Sequence, residues 1–161
     1  DGLYARALQT ALRSKEPDKI VIAKSNLAKV LVMEKHAPQA IAMLRPLIQQ
    51  ADEIGVKYVS VECSIFMAEA LIQNHSNAQA RQELDRALLR ADKSGMQPLS
   101  ARIHFLLAGM ESAAGNTDEA KNHFREAARL LDEMKKDPGA ENLLQRADFK
   151  NIYDVSNQRV K

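Results

Sequence analysis

The chain repeats itself every forty residues without a gap, and this limits its fold more than any local motif. Ala40, Ala80 and Ala120 fall in register, as do Leu44, Leu84 and Phe124, and then Leu47, Ala87 and Ala127. Upstream in each unit Leu27-Ala28, Met67-Ala68 and Leu107-Ala108 align, and so do Gly55 and Gly95. A constant period of about twenty to fifty residues marks an array whose units cannot bury their apolar faces alone and stack to do so.

Within a unit the apolar spacing is helical. Residues 57–74 contain no Pro or Gly, whereas 78–94 set Ala80, Leu84, Ala87, Leu88 and Ala91 on one face and Arg81, Glu83, Arg86 and Arg90 opposite. Between them Asn74-His75-Ser76-Asn77 is a polar break, and Gly95 supplies the left-handed position after the second helix. Alanine at the seam lets two helices approach closely. A composition of 45% hydrophobic but only 4% aromatic residues, without Trp, fits helix-on-helix packing. The pattern predicts antiparallel helices over 3–14, 18–34, 38–54, 57–74, 78–94, 98–114 and 118–136.

Local signals place the ends. Pro17, Pro38 and Pro98 stand at first helical positions, where the missing N–H is harmless. Pro46, inside a helix, predicts a bend on the outer face, because its equivalents Arg86 and Glu126 are polar. The last repeat turns at Gly115-Asn116, and Thr117 reads as the cap of the helix that follows. Asp137-Pro138-Gly139 stops that helix. Beyond it Leu143, Leu144 and Ala147, then Phe149, Ile152 and Tyr153, form apolar stripes suited to covering the last repeat. The expectation is one domain over 1–161: a half repeat 1–15, full repeats 16–55, 56–95 and 96–136, and a capping segment 137–161.

These positions resemble the tetratricopeptide repeat, which wants a large-then-small pair in its first helix and Ala, bulky, Ala at spacings of four and three in its second. The resemblance covers about 150 residues. It departs from the family in its early aromatic, replaced by Lys24, Ser64 and His104, in its closing Pro, replaced by Asp52, Asp92 and Asp132, and in a period of forty against thirty-four. It implies an all-α, right-handed α-solenoid of antiparallel helix pairs whose first helices line a concave side. The lining positions, carried over residue by residue, are Ile22, Ser25, Lys29 and Val32, then Glu62, Ile65, Glu69 and Ile72, then Arg102, Phe105, Gly109 and Ser112. The family's clamp for a peptide carboxy-terminus finds only Lys29 and Arg102, while Phe66 and Leu106 stand where it wants polar groups. The lining is instead apolar, which reads as a groove for a partner helix or extended peptide, as extra burial between long helices, or as a seat for the tail. Long-helix arrays of this kind look like those attached to signalling modules such as kinases.

The remaining residues argue against other classes. With 23 basic and 21 acidic residues interspersed, the chain has no footprint for nucleic acid or a membrane surface. There is no phosphate loop, and His36, His75, His104 and His123 have no metal-ligand spacing with one another or with Cys63. His36 and His75 read as solvated turn residues and His104 as packed. Cys63 aligns with Ala23 and Ile103 and reads as a small core residue. No enzyme, metal or cofactor is expected. A single cysteine fits a reducing compartment such as the cytoplasm. The chain opens inside a helix, which reads as a piece of something longer.

The expected function is a non-catalytic scaffold that binds a protein segment on the first-helix surface. The alternatives are an effector-responsive domain attached to a kinase or transcription regulator, and an oligomerisation segment. Residues 3–12 carry a stripe of Leu3, Tyr4, Ala7, Leu8, Ala11 and Leu12 wide enough for two neighbours, so a homodimer through it is expected. Charge placed at Ile65 or Phe105 is expected to weaken binding more than folding.

Overall fold

The computed structural model describes residues 2–140 and 142–160, and among these it is all helical, with no strand. The helices are α1 (Gly2–Ser14), α2 (Pro17–Met33), α3 (Ala37–Glu53), α4 (Lys57–Gln73), α5 (Asn77–Lys93), α6 (Gln97–Ala114), α7 (Thr117–Met134) and α8 (Ala147–Val160). A single 3₁₀ turn, Leu143–Gln145, precedes α8. Helices α1 to α7 each lie within about two residues of the range expected from the periodicity.

The helices recur on a beat of half the sequence period, starting at Pro17, Ala37, Lys57, Asn77, Gln97 and Thr117. The backbone of the turns explains it. Lys35, Gly55, His75, Gly95 and Gly115 all have positive φ. The amide of the next residue reaches back to close the preceding helix: His36 to the Leu31 carbonyl at 2.8 Å, Val56 to Ala51 at 3.0 Å, Ser76 to Leu71 at 2.8 Å, Met96 to Ala91 at 2.8 Å, Asn116 to Glu111 at 2.9 Å. A second bond runs from each left-handed residue, as from Gly95 N to the Asp92 carbonyl at 3.1 Å. This is the Schellman arrangement, and it satisfies carbonyls that a helix end leaves open.

The residue that closes one helix also opens the next. The carbonyls of His36, Val56, Ser76, Met96 and Asn116 accept from Ala40, Ser60, Ala80, Ser100 and Ala120. No side-chain cap bond forms at the starts of α2, α3, α4, α6 or α7. Thr117 is therefore not the cap expected from sequence: it is the first residue of α7, and Asn116 precedes it. Asn116 instead turns its side chain backwards, donating from Nδ2 to Glu111 Oε2 at 2.7 Å.

The chain divides into two compact units, Asp1–Ala87 and Leu88–Lys161. In the first, α1 packs on α2, α2 on α3, and α4 on both α2 and α3. Ala28, Ala40, Leu44, Ala68, Ala80 and Leu84 are all fully buried, so the recurring sequence positions are the core positions. α4 is enclosed on most of its circumference, with ten buried residues from Ser60 to Leu71. Pro46 lies within an unbroken α3 and is exposed.

In the second unit α6 packs on α7, and α8 packs on both. Phe149 and Ile152 of α8 are buried with Ala101, Ala127, Leu130 and Leu131. Tyr153 anchors α8 to α7 by donating its hydroxyl proton to Asp132 Oδ1 at 3.0 Å, with Lys135 paired to the same carboxylate.

At Gly55, Gly95 and Gly115 an added Cβ would meet nothing within 4 Å, so the demand for glycine is purely conformational. A left-handed residue with a Cβ costs roughly 1–2 kcal/mol. Gly95→Ala is accordingly expected to lower stability by about 1 kcal/mol in urea unfolding, and Lys35→Gly and His75→Gly to raise it by about 0.5–1 kcal/mol each. Loss of stability in both glycine variants would contradict the turn analysis.

Candidate functional site

The first helix of each repeat carries the expected lining, and burial sorts those residues sharply. On α2, Ile22 is 43% exposed and Lys29 is exposed, while Ser25 and Val32 are buried. On α4, Glu62, Glu69 and Ile72 are half-buried, but Ile65 is 0% exposed. Ser25, Val32 and Ile65 thus belong to the core and do not line a surface. The physical reason is that α4 is enclosed, so residues one turn from its polar edge already face neighbouring helices. What remains outward on the packed pair α2–α4 is Ile22, Lys29, Glu62, Glu69 and Ile72. Gln73 Nε2 donates to the Val32 carbonyl at 2.9 Å and ties the C-terminal ends of the two helices.

Ser25 has a different partner. The Cys63 thiol donates to Ser25 Oγ at 3.4 Å, both groups being buried. Burial pushes the thiol up to about 11, against the opposing effect of the Ser25 hydrogen bond. Cys63 is thus a packed core residue, 0% exposed.

In the second unit Arg102 is half-buried, and Gly109 and Ser112 are exposed. Phe105 packs edge-on against Phe124, with ring centroids 5.9 Å apart, and also touches the cluster of α8 residues around Phe149 and Ile152. It is a packing residue, covered in part by the C-terminal helix. Gly109 is not required for packing, since a Cβ there would meet nothing within 4 Å.

The sequence reading missed one constellation. His104 on α6 and His123 on α7 face each other, Nδ1 to Nδ1, at 2.9 Å, with tilted rings 5.2 Å apart. Burial, then the neighbouring His123, holds His104 below the usual histidine range. The residues are nineteen apart and share no sequence motif. Their equivalents Lys24 and Met43 also line one groove, of about 510 Å³, beside Leu8, Pro46 and Leu47. Ser100 Oγ donates to Asp92 Oδ1 at 2.6 Å, which joins the end of α5 to the start of α6.

Among the described residues no group of three or more His, Cys, Asp or Glu could hold a metal ion. No helix among them is long and apolar enough to cross a membrane. Comparison with family models, curated proteins and solved structures gives no match.

Two outcomes follow from the burial pattern. Ile65→Asp is expected to cost at least about 3 kcal/mol and Phe105→Ala about 2–3 kcal/mol in chemical denaturation, reversing the sequence expectation that these sites affect binding first. Native Cys63 at pH 8, with only about one thiol in a thousand ionised, is expected to resist a chromogenic disulfide reagent until the chain unfolds. Rapid native labelling would contradict its burial.

Proposed function

We propose that this chain is a non-catalytic interaction module of tetratricopeptide-like design, a right-handed stack of antiparallel helix pairs that holds a protein segment on its first-helix face. The single observation that carries the reading is the surface left on α2 and α4. Ile22, apolar yet 43% exposed, stands on the helix that also presents Lys29, and α4 adds Glu62, Glu69 and Ile72 at its edge. An apolar contact flanked by both signs of charge suits an amphipathic helix or short extended peptide, whose apolar side chains anchor it and whose charges set its direction. A scaffold function also accords with a chain whose one cysteine is buried and held protonated.

A second reading, self-association through residues 3–12, is favoured by α1. Leu3 is 69% and Leu12 51% exposed on that helix, with Tyr4 exposed beside them and only Ala11 buried. Burying such side chains fully is worth roughly 1.5–3 kcal/mol each.

Selection of a random-peptide phage library against the chain tests the first reading. Peptides recovered are expected to lose at least tenfold in affinity to Ile22→Asp or Lys29→Glu, with stability changed by no more than about 0.5 kcal/mol. Failure to select any peptide, or binding indifferent to both changes, would overturn it. Sedimentation of Leu3→Glu/Leu12→Glu against the unaltered chain tests the second: the unaltered chain is expected to dimerise with concentration and the variant to remain monomeric.

A further inference from the structure

The second helices of the repeats differ at three places that the core does not explain. Positions 42, 43 and 46 of α3 correspond to Gln82, Glu83 and Arg86 of α5 and to Asn122, His123 and Glu126 of α7. All of these positions are exposed or half-buried, and the two later helices fill theirs with polar or charged groups. Helix α3 fills them with Ala42, Met43 and Pro46. A surface that is polar in two copies and apolar in the third has given up solvation without joining the core, as a surface covered by a partner does.

Those three residues belong to the groove of about 510 Å³ in the first unit. Leu8 of α1 and the buried Leu47 add to its apolar lining. On α3 the lining residues Gln39, Met43, Pro46 and Gln50 follow one another at spacings of four, three and four, so they share one face. That stripe runs about 16 Å at 1.5 Å per residue, the length of about five residues of extended chain. Lys24 also lines the groove, and it stands two residues from Ile22 on α2, so the two side chains leave the helix on opposite faces.

Two polar features define what can cover the stripe. Among the described residues Lys24, half-buried, is the one charged group of the lining, and no carboxylate among them pairs with it. Covering it leaves a buried charge unpaired unless the occupant brings an anion. Pro46 supplies the second feature. It has no amide hydrogen, so the Ala42 carbonyl lacks the donor that a helix places four residues on, and both residues line the groove. A hydrocarbon laid over that carbonyl takes away its water and returns no hydrogen bond, whereas an extended peptide carries N–H groups. The side-chain amides of Gln39 and Gln50 can pair with peptide backbone at either end of the stripe.

We propose that the groove between α1 and α3 is a second docking surface, separate from the first-helix face, which takes an extended peptide bearing an acidic side chain next to apolar ones. The peptide's carboxylate pairs with Lys24, its apolar side chains cover Leu8, Met43 and Pro46, and one of its amides donates to the Ala42 carbonyl.

Random linear peptides selected on the unaltered chain test this, once those that also bind Ala42→Gln/Met43→Glu/Pro46→Arg have been removed. That variant carries the residues of the middle repeat at positions outside the core, and its urea unfolding is expected to match that of the unaltered chain. The remaining peptides are expected to share an acidic residue beside apolar ones and to lose about tenfold in affinity to Lys24→Glu. Exchanging the peptide's acid for lysine is expected to restore binding to Lys24→Glu. Pro46→Ala returns an amide to the Ala42 carbonyl, so it is expected to raise stability in urea while weakening the same peptides; a proline that acted only on the helix would leave their binding unchanged. Ile22→Asp is expected to leave these peptides unaffected, which separates the groove from the first-helix face. Recovery of no such peptide, absence of an acid from those recovered, or binding indifferent to Lys24→Glu and Pro46→Ala would overturn the proposal. So would groove amides that shift with decanoate but with no selected peptide, or with rising concentration of the chain alone, which would assign the groove to a hydrocarbon acid or to a second copy.

Discussion

At each of five turns a single residue donates its amide to the helix behind it and its carbonyl to the helix ahead. His36, Val56, Ser76, Met96 and Asn116 hold these places, each following a left-handed residue. The arrangement leaves no slack, because three residues separate consecutive helices at four of the turns and two, Gly115 and Asn116, at the fifth. Helix starts therefore recur at constant spacing, and so do the side chains that the spacing brings together. No side-chain cap bond forms at the starts of α2, α3, α4, α6 or α7, so the turn backbone fixes where these helices begin without one.

Everything proposed for the surface depends on that regularity. With helix starts held at a constant spacing, Ala40, Ala80 and Ala120 are buried at equivalent positions in the three repeats. Differences between repeats then carry the chemistry. The same two positions hold Lys24 and Met43 along an open groove in the first unit and an imidazole pair in the second. Likewise Ile22 is exposed and apolar where the equivalent sequence positions hold Glu62 and Arg102.

The helices and their core positions were legible in the sequence because alanine and leucine recur with a helical period and glycine announces several turns. Lys35 and His75 were not read as left-handed residues, since neither is glycine and the surrounding hydrogen bonds impose the conformation. Thr117 misled for a related reason: threonine commonly caps, but here Asn116 already occupied the place. The lining of the site was half legible. Family positions gave Ile22, Lys29 and Glu69 as outward, yet Ser25, Val32 and Ile65 lie inside, because position along a helix does not tell how far its neighbours wrap around it. The histidine pair required knowledge of which faces of α6 and α7 oppose, and only the packed helices supply it.

The shared turn is the claim on which the rest stands, and residue-resolved amide hydrogen exchange tests it directly. The amides of His36, Val56, Ser76, Met96 and Asn116 lie in exposed or half-buried connections, yet each donates to a helix carbonyl at 2.8–3.0 Å. They are expected to exchange with the slow rates of the helices they close, with similar protection at all five. Exchange at the rate of an unstructured loop would show that the helices are joined by slack connections, and would contradict the account.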